Sequence, residues 1–279
     1  MPEILDRLTT ALILKLALIG YLGYAVLLWV FQRPLMYHGT RLEAPPADAR
    51  PTDAEGIELE ASGGPNEAWW FRPEGDEPAP AVIVAHGNAE LISDNVSFAR
   101  ALRDLGVGVL LVEYPGFGSA KGEPSRASIG EAFTLAYDRL TARPEVDSER
   151  IVGLGRSLGA GAITDLAVAR PVRALVLQSA FSSIGSMVLR GYWMPPFLVK
   201  DDFDNVANLR AWDGPVLVFH GTQDRVVPIG HGERLAAVRD GVRLVRLECG
   251  HNDCAWSGAA VMEELRDFLI RTEILPRAD

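Results

Sequence analysis

The sequence predicts an α/β fold, a mostly parallel sheet flanked by helices, with one hydrophobic helix at its N-terminus. Beyond Pro80, short continuous apolar runs alternate with helical stretches. Runs of this kind fit strands buried on both faces, which need helical crossovers to pair in parallel. The 48% hydrophobic and 23% charged content is that of an ordinary globular chain, and 279 residues hold a short anchor plus one sizeable domain. A separate apolar run, Ala11 to Phe31, carries Lys15 as its only charge.

That run opens the chain and defines a first unit, residues 1–33. As a helix, Ala11 to Phe31 is about 31 Å long, close to the thickness of a bilayer core. Lys15 lies near one end, where its stem can snorkel, while Trp29, Phe31 and Tyr37 fall near the other interface as aromatic anchors. Pro34 is expected to end the helix. A cleaved signal peptide is disfavoured, because bulky rather than small residues follow the apolar core. The expectation is a single-pass membrane anchor, and the alternative is an apolar helix packed on the domain or on a second subunit. Arg7 on one side nearly balances Arg33 and Arg41 on the other, so charge does not set its orientation.

Residues 34–279 form the expected catalytic domain. Gly56 to Ala61 and Glu67 to Phe71 suggest an edge hairpin within a Pro- and Gly-rich stretch. The apolar runs follow at Ala81 to Ala85, Val107 to Val112, Ile151 to Leu154, Ala174 to Gln178, Pro215 to Phe219 and Val242 to Leu247. Asp94 to Leu105, Ser128 to Leu140 and Gly159 to Ala169 are the helical crossovers between them. One stretch departs from the alternation: residues 181–212 contain Tyr192-Trp-Met-Pro-Pro-Phe-Leu198 ahead of Asp201, Asp202 and Asp204. It is either a short lid that shapes an acyl pocket or a helix packed on the core.

Charge and cysteine content narrow the partners. With 27 basic against 37 acidic residues, the net charge of -10 repels nucleic acid, which is not an expected partner. The two cysteines, Cys249 and Cys254, stand so close in sequence that a bridge would constrain the loop tightly, and free thiols are expected.

Gly155-Arg-Ser-Leu-Gly159 matches the G-x-S-x-G pattern, preceded by an apolar strand and followed by a small-residue helix. In that setting Ser157 sits on a sharp turn with its hydroxyl exposed at the sheet edge. A serine hydroxyl needs a base, and the base needs a carboxylate to orient it. Asp224 follows the strand Pro215 to Phe219, and His251 follows the strand Val242 to Leu247. Parallel strands bring all three to one edge, in the order Ser, Asp, His. Asp253 is the nearest rival carboxylate, ahead of Asp240 and Glu248. The other four histidines, His38, His86, His220 and His231, are expected to be structural, with His231 on a surface helix. Backbone N–H groups of Leu158 and Asn88 are the candidate oxyanion donors. No histidine pair has metal-ligand spacing on a helix, so no metal is expected. The loop Gly116 to Gly122 lacks a nucleotide-binding pattern and borders the site. Tyr114 and Phe117 beside it, with Trp193 and Phe197 from 181–212, are the expected substrate contacts.

Together, Val84-Ala-His-Gly-Asn-Ala89, Glu113-Tyr-Pro-Gly-Phe-Gly118, Gly155-Arg-Ser-Leu-Gly159, Gly221-Thr-Gln-Asp224 and Gly250-His-Asn-Asp253 resemble the α/β-hydrolase superfamily. The resemblance is to its small membrane-anchored serine hydrolases, related to the bud-emergence-type and depalmitoylase-type α/β-hydrolase-domain proteins, and covers roughly Arg33 to Leu275. It implies an eight-stranded sheet, no cofactor, and esterase, thioesterase or lipase activity through an acyl-enzyme. The expected partners are a small-molecule or lipid acyl substrate and a membrane. A serine peptidase of similar fold and a non-catalytic, membrane-tethered binding protein are the alternatives.

Overall fold

Eight strands pair in the order β1-β2-β4-β3-β5-β6-β7-β8 in the computed structural model, which describes residues 2–46, 48–75 and 77–277. Side chains are described from residue 8 onward, so that of Arg7 lies outside. The expected edge hairpin is β1 (Glu55–Ala61) and β2 (Gly64–Phe71), antiparallel to each other and, through β2, to β4 (Gly108–Val112). All remaining pairings are parallel: β3 (Ala79–Ala85), β5 (Val146–Arg156), β6 (Ala174–Gln178), β7 (Val216–Gly221) and β8 (Val242–Leu247).

The continuous apolar runs have the expected cause. In β3, Ala81, Ile83 and Ala85 enter one core while Val82 and Val84 enter the other, so every side chain from Pro80 to Ala85 is buried. On the first face lie α3 (Arg126–Thr141) and α4 (Leu158–Ala169); on the second lie α2 (Val96–Arg103) and α8 (Ala259–Arg271). The chain runs from β3 outward to β4 and returns to β5 on the opposite side of β3. This reversal leaves a crevice beyond the C-termini of β3 and β5.

The N-terminal helix α1 (Pro2–Met36) passes through Pro34 instead of ending there. So close to the end, proline forfeits a single helical hydrogen bond. Arg33 O accepts from Tyr37 N–H at 2.9 Å, and Pro34 O accepts from the Arg41 guanidinium at 2.6 Å. Residues Leu8–Met36 are long and apolar enough to cross a membrane. Leu12, Leu16, Ile19 and Leu27 are exposed along it. Tyr37, expected at an interface, is instead fully buried in the core beside Tyr114 and Phe117.

Residues 181–212 form α5 (Ile184–Tyr192), a single 3-10 turn at Pro196–Leu198, and α6 (Asn205–Ala211). This insertion lies along the second half of α1. Tyr21 and Tyr24 hydroxyls donate to the carbonyls of Trp193 and Tyr192, each at 2.9 Å. Gln32 accepts from Lys200 N–H at 2.6 Å and donates to Leu198 O at 3.2 Å. Arg33 grips the buried Asp201 carboxylate at 2.8 and 3.2 Å. Helix α1 is therefore docked on the domain through polar contacts as well as joined to it.

Candidate active site

Strand β5 ends at Arg156 and α4 begins at Leu158, leaving Ser157 alone to turn the chain. Its φ of 51° and ψ of -110° lie where side chains are rarely tolerated, a strain that the surroundings must hold in place. The flanking glycines have a packing reason. A Cβ on Gly155 would collide with the Gly159 carbonyl, and one on Gly159 with the carbonyl of Ala85. The tight approach seats the turn against the end of β3, and Ser157 N–H donates to Gln178 O at the end of β6 at 2.9 Å.

The structure brings Ser157, His251 and Asp224 into one line. His251 Nε2 is 3.1 Å from Ser157 Oγ, and His251 Nδ1 is 2.7 Å from Asp224 Oδ2. A carboxylate only accepts, so the imidazole proton sits on Nδ1 and Nε2 is left to accept from the serine hydroxyl. Asp224 Oδ1 accepts from the N–H groups of Val226 and Val227 at 2.9 and 2.7 Å. Burial alone would raise the Asp224 pKa; the hydrogen bonds from His251 and the Val227 N–H outweigh it and hold the carboxyl below its ordinary range. The rival Asp253 instead accepts from Gly250 N–H and closes the turn that contains His251.

Cys249 and Cys254 are not free thiols: they form a disulfide that brackets His251. The five-residue separation had suggested too tight a closure, but the loop doubles back and brings the two Cα atoms to 5.2 Å, within the span of a disulfide. Asn88 lies in the loop after β3, whose start packs against Gly159. Its side chain is held by the segment leaving α1, accepting from His38 N–H at 3.1 Å and donating to Met36 O. Leu158 N–H belongs to the first turn of α4, where amides have no intrahelical acceptor.

Three charged residues that sequence reasoning passed over tie these loops together. Buried Glu113 faces His86 Nε2 at 2.8 Å and accepts from Ile92 N–H and Tyr114 N–H, each at 3.1 Å, bracing the loop that carries Asn88. Glu90 accepts from Gly87 N–H at 3.0 Å and pairs with Arg156, which also donates to His251 O at 3.1 Å. A lone carboxylate ending an all-apolar strand was the available clue to Glu113. Arg156 occupies a position that the G-x-S-x-G pattern leaves open.

The four expected substrate contacts do not gather around the triad. Tyr114 and Phe117 are fully buried, packed with His86 and Phe133 under the loop after β3, and so act as its support. Trp193 and Phe197 are 79% and 84% exposed on the outer face of the insertion. His231 is likewise buried, not on a surface: α7 (Gly230–Ala236) turns it inward, where its Nδ1 accepts from Ser182 N–H at 3.1 Å. Burial, reinforced by nearby Arg234, pulls its pKa down to about 4, so it is neutral near pH 7.

Two cavities lie beside the loops that carry the triad, and neither is lined by Ser157, Asp224 or His251. One of about 430 Å³ lies beside Glu90, Arg156 and Trp256. The other, of about 510 Å³, lies between α1 and α5 and is mainly apolar.

No family model matches the chain. An uncharacterized protein of Mycobacterium tuberculosis (strain ATCC 25618 / H37Rv) is 34% identical over 259 residues, covering 91% of this chain and 92% of its own length. The alpha/beta hydrolase domain-containing protein WAV2 of Arabidopsis thaliana is 29% identical over 204 residues, with 66% of each chain covered. Among solved structures, a thermophilic esterase from the Planctomycetes species Thermogutta terrifontis, with propionate bound, is similar with a TM-score of 0.66 at 17% identity. The likeness covers 84% of this chain and 99% of that one.

Proposed function

The chain belongs to the α/β-hydrolase superfamily, and from that premise we propose a serine hydrolase that cleaves acyl esters or thioesters through an acyl-enzyme, at or near a membrane. The observation that carries this reading is the continuous contact from Ser157 Oγ through His251 to the buried carboxylate of Asp224. Ser157 Oγ attacks the acyl carbonyl while His251 Nε2 takes its proton, and Asp224 stabilises the imidazolium that forms. The backbone N–H groups of Leu158 and Asn88 receive the developing oxyanion. Collapse of the tetrahedral intermediate expels the alcohol or thiol, which leaves with the proton from His251. Water, deprotonated by the same imidazole, then releases the acid and restores the serine.

The membrane part of the reading is supported by the length and exposure of Leu8–Met36. The disulfide beside His251 favours an oxidising compartment for the catalytic domain.

The test is Ser157→Ala, measured by p-nitrophenyl ester hydrolysis and fluorophosphonate labelling. The expected loss is about 10⁴-fold or more in kcat with folding retained. Labelling and turnover that survive the substitution would remove Ser157 from the chemistry. Absence of both in the unaltered protein would point to a tethered binding protein.

A further inference from the structure

The cavity of about 510 Å³ is built in part by α1, the helix that the sequence predicts as an anchor. Leu28, Leu35 and Met36 of α1 form one wall, and Ile184, Met187 and Val188 of α5 form the other. Two of its lining residues bond directly to groups of the candidate site. His38 lines the cavity and is bonded to Asn88; Val226 lines it too, and its N–H holds Asp224. The volume lies within the roughly 300–1,000 Å³ of small-ligand sites, and Leu28 to Met36 extends about 12 Å along the helix.

The polar side chains on the lining do not oppose an apolar ligand. Gln32 is engaged by Leu198 and Lys200, and His231 is neutral and bonded to Ser182. Arg190 and Arg225 are exposed and supply a basic rim. Outside the cavity, Leu189, Trp193 and Phe197 are exposed alongside the apolar surface of α1, and Tyr192 on the lining is exposed as well. An acyl chain dissolved in lipid would meet this surface before any other part of the domain.

We propose that α1 is a wall of the substrate site: a single acyl chain lies between α1 and α5, entering through their seam, with its carbonyl at Ser157. This rests on the serine-hydrolase reading and narrows its substrate to monoacyl chains longer than the crevice at the triad can hold. The N-terminal helix then sets chain-length preference as well as location.

The test uses the full chain in lipid nanodiscs, with Leu28→Trp and Met187→Trp to fill the cavity from opposite walls. Leu27→Trp, at an exposed position on α1 outside the lining, is the control. Two quantities are read: the palmitate-to-acetate ratio of kcat/KM for p-nitrophenyl esters, and the sites labelled by a palmitate carrying a mid-chain diazirine. Each cavity-filling variant is expected to lower the ratio by about tenfold or more and to abolish labelling of α5, while the control does neither. A ratio unmoved by both variants, or labels confined to the exposed face of α1, would overturn the proposal. If the unaltered protein hydrolyses neither ester, labelling decides alone. Labels on Ile184 or Met187 that Leu28→Trp removes would uphold the acyl site while the hydrolase reading falls.

Discussion

The sheet edge that carries the triad and the face where α1 meets the insertion are built on different principles. At the sheet edge, both oxygens of Asp224 and both ring nitrogens of His251 have partners, and the histidine loop is closed by a disulfide. Along α1, the ties among the described residues include a few hydrogen bonds, the Arg33–Asp201 ion pair and Lys200 over the Trp29 ring, and large apolar side chains face outward. Chemistry needs atoms held to within a fraction of an ångström, because small displacements forfeit much of the rate. Admission of an acyl chain needs apolar area and room, which a looser seam supplies.

Asp224→Asn tests the rigid edge most severely. It should lower kcat by about 10³–10⁴-fold while Asp253→Asn costs less than about tenfold, as measured on a short ester. Equal losses would mean that the turn that contains His251 matters as much as its carboxylate. Arg156→Met should reduce kcat by about tenfold or more with little change in KM, because it loosens the seat of His251 and leaves the reacting groups in place. A change confined to KM would relocate Arg156 to substrate binding.

Replacing Cys249 and Cys254 by serine should cost about 2 kcal/mol by loop-closure entropy, read from urea unfolding. A loss of activity without loss of stability would instead assign the bridge to holding His251. A pH dependence of stability is expected as well. Folded His231 stays neutral down to about 4, whereas the unfolded chain takes up a proton below about 6.5. Stability from this group is therefore full above about 6.5 and lost as pH falls toward about 4. Asp224 acts separately: its depressed pKa adds stability above the unfolded value of about 3.9 that is lost at lower pH. His231→Gln should flatten the urea midpoint between pH 7 and 4, and an unchanged slope would remove His231 as its cause.

The same contrast decides what could be read from the sequence. Strands buried on both faces leave continuous apolar runs, so the core strands and their crossovers were visible from Ala81 to Phe219; Val242 to Leu247, expected to be of the same kind, is a partly exposed edge strand that carries Arg243 and Arg246. Because parallel strands carry their C-termini to one edge, Ser157, Asp224 and His251 could be set side by side before any coordinates. Long-range packing was not legible. Tyr114 and Phe117 looked like pocket aromatics because periodicity cannot tell an aromatic under a loop from one facing a cavity. Trp193 and Phe197 look equally apolar whether they face in or out. The bridge between Cys249 and Cys254 depended on how a short loop folds back, which spacing does not give. The role of α1 as a cavity wall rests on contacts with residues far along the chain, and nothing local marks Leu28 or Met36 for it.

That distance has a consequence for how the protein is made. The partners of Tyr21, Gln32 and Arg33 lie 166 to 172 residues later in the chain. At about 5–20 residues per second, ribosomal synthesis separates α1 from these partners by roughly 10–30 s. For that interval the helix has no domain to dock on, and its apolar surface is open to a targeting factor or a bilayer. On the proposed membrane reading, delivery can be finished before Asp201 exists to receive Arg33, and the order of translation alone separates insertion of the helix from its docking.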